Sequence, residues 1–98
     1  MFERILRRMR RLARDGQYVV TVHALEAMED DELTVFDVET CVLTGRIVER
    51  QQDRQRREWK YVVRGRAVDR SVMVVVGRIG RTRRLVILTV YLAEGEAQ

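Results

Sequence analysis

The chain has 98 residues, 46% of them hydrophobic and 35% charged, with a formal net charge of +4. That length supports one domain with a single modest core, and the apolar content excludes a chain that is mostly disordered. No apolar run reaches the roughly 20 residues that cross a bilayer, arginines interrupt any secretory pattern, and a lone Cys41 excludes an internal disulfide and a cysteine metal cluster.

The expectation is a cytoplasmic protein with no membrane contact, no metal and no cofactor. Its charge is segregated along the chain. Residues 1–21 carry six arginines, residues 22–45 carry seven acids with neither lysine nor arginine, and residues 46–92 carry twelve arginines and Lys60. If these segments occupy different faces, the molecule is polarised, and its basic face attracts polyanions.

Phe2, Ile5, Leu6, Met9, Leu12 and Ala13 recur at three-to-four spacing, which predicts an amphipathic helix over 2–14 that Gly16 ends. A short β-rich run follows over 18–22. Ala24, Leu25 and Met28 predict the inward face of a second helix over 23–31. Thr34 with Asp37 reads as a capping box opening a third helix, buried through Val35, Val38, Val42 and Leu43 and closed at Gly45.

From residue 46 the period changes to two, with strands expected at 46–52, 58–66, 70–78 and 84–92. Residues 53–57, 68–69 and 80–83 are the turns between antiparallel neighbours. Strand 70–78 is apolar on both faces and is expected to be central. In the last strand, Val86, Leu88, Val90 and Leu92 are the expected core row, with Ile87, Thr89 and Tyr91 opposite. Trp59 and Tyr61 share a pleat face, either as core against the first helix or as a stacking platform for bases. The expected organisation is one domain over 1–98: a helical part over about 1–45, a sheet over about 46–92, and a loose tail over 93–98. The fold class is α+β, with about three helices packed on a four-stranded, mainly antiparallel sheet.

His23, the only histidine, stands where the first β-rich run gives way to a helix. Imidazole titrates near neutrality, and guanidinium groups bind phosphate in a planar, bidentate way. Together they point to metal-free chemistry on an RNA phosphodiester. A structural histidine at a strand–helix junction is the alternative. Lys60, Arg64 and Arg78 are the candidate phosphate clamps, with Lys60 and Arg64 on one strand face. Cys41 reads as a small buried hydrophobe.

Three local signatures carry a resemblance. His23-Ala24 and Met28 open a helix after a short strand, Gly45 precedes Ile47-Val48, and Val86-Ile87-Leu88-Thr89-Val90-Tyr91 closes the sheet. Over roughly 18–92 the chain resembles the bacterial domain of unknown function 4258. That domain is distantly similar to RelE-like toxins, small metal-independent ribonucleases. The resemblance implies a RelE-like fold and a toxin-like endoribonuclease using His23, Thr89 and Tyr91 beside the basic residues. The family's arginine before the methionine is Ala27 here, and the acidic run 29–32 stands where a basic residue is usual. A non-catalytic module that binds RNA or an acidic protein is the other reading. RNA, an acidic antitoxin-like protein and a second copy are the expected partners, a homodimer pairing through strand 84–92 or 46–52.

Overall fold

Apolar positions three and four apart form the first helix, α1 (Glu3–Arg14), which buries Met9 and Ala13. The structure, a computed structural model, describes residues 1–93. After α1 come β1 (Tyr18–Val20), α2 (Val22–Asp30), α3 (Val35–Thr44), β2 (Arg46–Asp53), β3 (Glu58–Arg66), β4 (Val72–Ile79) and β5 (Leu85–Leu92). Of the expected tail, Ala93 packs against the sheet, and 94–98 lie outside the described residues. No described helix is long and apolar enough to cross a membrane.

Short polar side chains set the helix starts. Thr21 accepts from the Ala24 amide at 3.1 Å, and its hydroxyl donates to the Leu88 carbonyl at 3.2 Å, which ties the cap of α2 to β5. Thr34 and Asp37 make the reciprocal capping box of α3, with the Thr34 amide donating to Asp37 at 2.8 Å. Asp37 also accepts from the Val68 amide at 2.9 Å, joining α3 to the β3–β4 turn. Thr34→Ala is expected to cost about 1 kcal/mol, read as a lower urea midpoint with an unchanged slope. An unchanged midpoint would deny the cap its role.

At its other end α3 depends on α1. Arg10 donates to the Gly45 carbonyl at 2.8 Å and to the Val42 carbonyl at 3.4 Å, occupying acceptors that a helix end leaves unpaired. There α3 rests directly on β3. A Cβ added to Gly65 would lie 2.2 Å from the Cys41 carbonyl oxygen, and one added to Gly45 2.6 Å from the same atom.

The sheet has five strands in the order β1-β5-β4-β3-β2. The expected four-stranded sheet is therefore corrected to a five-stranded mixed one, since Tyr18-Val19-Val20 pairs in parallel with Leu85-Val86-Ile87. Three β-favouring residues suffice because β5 offers an otherwise unpaired edge beside them. The remaining pairs are antiparallel, and β4 is the middle strand. Over Leu85–Ile87 the outer edge of β5 is taken by β1, so pairing of strand 84–92 with a second copy is restricted to its remaining residues. Of the expected dimer edges β2 is open along its whole length, and its register shifts between Ile47 and Glu49.

All three helices pack on one face. Met9, Ala24, Met28, Val38, Cys41 and Val42 meet Val63, Met73, Val75, Leu85, Ile87 and Val90 there. The expected core row of β5 is half corrected. Val90 and Leu92 do face the helices, but Leu85 and Ile87 replace Val86 and Leu88. The ladder steps from Val76↔Thr89 to Gly77↔Ile87, and the skipped Leu88 is a bulge that reverses the alternation. Leu25 and Leu43 are exposed rather than inward. The inward stripe of α2 is filled by Ala24, Ala27 and Met28, and Leu25 lies about 100° round the helix from Ala24. In α3, Cys41 takes the buried place expected of Leu43.

Burial pushes the Cys41 thiol up to about 12 from 9.0. The Tyr18 phenol, which donates to the Glu39 carboxylate, is raised to about 12 from 10.0, chiefly by burial and then by that bond. Both groups hold their protons more tightly folded than unfolded. Their stabilisation is thus complete below about pH 9 and is lost as pH rises toward 12. The urea midpoint is expected to fall steadily between pH 9 and 11, and a flat midpoint across that window would contradict this.

Candidate nucleic-acid interface

Alternation along each strand gives the sheet a second face, opposite the helices. Its centre is apolar: Val62, Val74 and Val76 are buried together, with Leu88 and Ala93 packed against them. Polar side chains surround that centre. Lys60 and Arg64 come from β3, Arg78 from β4, and Thr89 and Tyr91 from β5.

Register places these residues relative to one another. Arg46, Arg64, Val74 and Tyr91 form one row across four strands, so Arg64 and Tyr91 stand two strand spacings apart, about 10 Å. The next row runs Glu49, Val62, Val76 and Thr89. Lys60 precedes Tyr61 and Arg78 follows Gly77, and Tyr61 pairs with Gly77, which makes Lys60 and Arg78 cross-strand neighbours. Arg78 is held by Glu58 at 3.0 Å, its side chain 13% exposed. Tyr91 is 46% exposed.

His23 is elsewhere. It is exposed in the first turn of α2, beside the buried Ala24, and α2 belongs to the helical layer. Among the described residues it makes no hydrogen bond or ion pair. Five of the six candidates thus share one face, and the histidine does not join them. The other readings also resolve. Tyr61 is core, meeting Phe2 edge-on at 6.1 Å. Trp59 is 41% exposed and carries the Arg50 guanidinium 3.8 Å above its ring, which occupies one stacking face. The Cys41 thiol, fully buried and raised to about 12, is no nucleophile at neutral pH. Among the described residues no group of three or more His, Cys, Asp or Glu side chains could hold a metal ion.

One cluster escaped the sequence reading. A meander brings the β2–β3 and β4–β5 turns to the same end of the sheet, where Arg56, Arg78 and Arg81 line a groove with Gln55, Glu58 and Thr82. Arg54, Arg57, Arg83 and Arg84 stand in or beside the same two turns and are all exposed. Arginines in alternate turns of consecutive hairpins were the available cue.

A helical layer on one side and a cation-rimmed sheet face that no described helix covers on the other define a two-layer α+β domain. The chain belongs to the family described as "Domain of unknown function (DUF4258)", which matches residues 20–92. No curated protein and no solved structure matches the chain.

Proposed function

We propose that the open face of the sheet binds RNA and that the chain acts there as a toxin-like, metal-independent endoribonuclease. One observation carries the reading: Lys60, Arg64, Arg78, Thr89 and Tyr91 share the sheet face that none of the described helices covers. Cations fixed around an apolar floor neutralise a phosphodiester and the extra charge of its five-coordinate transition state. Guanidinium forks suit phosphate oxygens.

In the reaction the 2′-hydroxyl attacks phosphorus and the bond to the 5′-oxygen breaks. The Tyr91 phenol gives its proton to the leaving oxygen and regains one from the 2′-hydroxyl through water, so protons balance. The products are a 2′,3′-cyclic phosphate and a free 5′-hydroxyl. An acidic antitoxin-like protein covering the same cations would compete with RNA, and a cytoplasmic site of action belongs to this reading.

The position of His23 favours a second reading, a binding module without cleavage, because the face has no imidazole. RNA incubated with the protein in EDTA separates the two. Cleavage that survives His23→Ala and is lost in Tyr91→Phe is the expected result. Binding without cleavage selects the second reading. Wild-type affinity retained in an Arg64→Gln, Lys60→Gln double variant rejects both.

A further inference from the structure

The outer side of α1 carries five exposed arginines, Arg4, Arg7, Arg8, Arg11 and Arg14, at helical spacing. Arg10 is the exception, committed to the end of α3. None of the five makes an ion pair among the described residues, and Glu3, the only acid on the helix, pairs with the terminal amine at 2.7 Å. The family match begins at residue 20, so α1 lies ahead of it. Arg8 also lines a groove with Arg81 and Arg83, together with Glu58, Trp59 and Tyr61, which makes the stripe continuous with the arginine-bearing turns. Two turn arginines, Arg57 and Arg83, hold left-handed backbone at φ 54 and 64, where glycine or asparagine is the usual occupant.

We propose that α1 and the two hairpin turns form a second binding surface, for the phosphate backbone of a nucleic-acid duplex. Chemistry decides among the possible occupants. A bilayer needs the apolar side of an amphipathic helix, and that side of α1 is buried in the core through Met9 and Ala13. A protein interface needs an apolar or aromatic centre, and the stripe has none. Single strands are held by stacking on aromatic rings; the helix stripe has none, and the two rings in the adjoining groove are engaged, Trp59 by Arg50 and Tyr61 by Phe2. What remains is a row of planar, permanently charged forks. Over a helix of twelve residues, about 18 Å long, a duplex presents roughly ten phosphate charges.

The surface adjoins the open face at Arg78, and the test, on α1 and turn residues alone, keeps the two apart. Fluorescence anisotropy compares an RNA stem, a DNA duplex of the same sequence and a single-stranded RNA, using wild type and the Arg4→Gln, Arg7→Gln, Arg11→Gln triple variant. The triple variant is expected to bind the stem about tenfold or more weakly, with a salt slope smaller by about 2–3, and to bind the single strand normally. A comparable loss on the DNA duplex supports backbone recognition. The Arg57→Gly, Arg83→Gly variant is expected to keep or raise Tm while weakening stem binding, which separates the effect from misfolding. A wild type that ignores the stem, a triple variant that binds it normally, or equal binding of polyglutamate overturns the proposal. A wild type that binds the stem but not the single strand overturns only the open-face reading.

Discussion

Gly65→Val is expected to leave no native fold at room temperature, and Gly65→Ala to lower Tm by about 12 °C or more. The cause is contact between main chains. The Cys41 carbonyl oxygen lies 2.2 Å from where the first side-chain carbon would stand, and the Gly45 Cα lies 2.9 Å from it. Neither is the movable end of a side chain. Relief requires lifting the end of α3 off β3, which opens Val42 and Cys41, both fully buried. Overpacking a core costs about 1–3 kcal/mol when side chains give way, and more when backbone must move. Each kcal/mol shifts Tm by about 4–8 °C in a domain of this size. Gly80→Ala is the control, because its nearest obstacle is a Val86 methyl at 3.2 Å. Equal melting of the two alanine variants would show that the close approach does not matter.

The largest functional effect is expected from Tyr91. Removing its ring with Tyr91→Ala should weaken single-stranded RNA binding by about 1–3 kcal/mol, the usual worth of a base stacked on an aromatic. Tyr91→Phe keeps the ring and should keep the affinity, while removing the phenolic proton that cleavage needs. Tyr91 is suited to both tasks because it ends a row with Arg64 and is 46% exposed. Titrations at several salt concentrations should give Tyr91→Ala the slope of the wild type. An Arg64→Gln, Lys60→Gln variant should be flatter by about 0.7 for each lost phosphate contact. A changed slope in Tyr91→Ala, or undiminished affinity, would remove the ring from the interface.

Local chemistry was readable wherever one residue determines one conformation. The Thr34–Asp37 box, the spacing of Ile5, Met9 and Leu12, and the doubly apolar middle strand all lead directly from sequence to structure. Non-local choices were hidden. Nothing in Tyr18-Val19-Val20 names a parallel partner 67 positions later at Leu85. The bulge at Leu88 reverses the alternation of β5 without a glycine or proline in that strand to mark it, so Val86 and Leu88 face away from the helices, against their parity with Val90. Arg10 reads as one more surface cation until its distance to the end of α3 is known. The basic stripe of Lys60 and Arg64 was legible from pleat parity, but the distance of His23 from it was not. Helix two packs through Ala24 and Met28, and a flanking imidazole follows the helix rather than the sheet.

The strand made last from the described residues is inserted between two made earlier. Until Leu85–Leu92 leaves the ribosome, β1 has no neighbour and the helix that follows it lacks the surface beneath it. A nascent chain therefore cannot close its sheet in the order of synthesis, and β1 and α2 gain their packing surface in a single late event. Ribosome-stalled intermediates ending before residue 85 should be protease-sensitive over β1 and α2. A few further residues should then protect the helices and the sheet together.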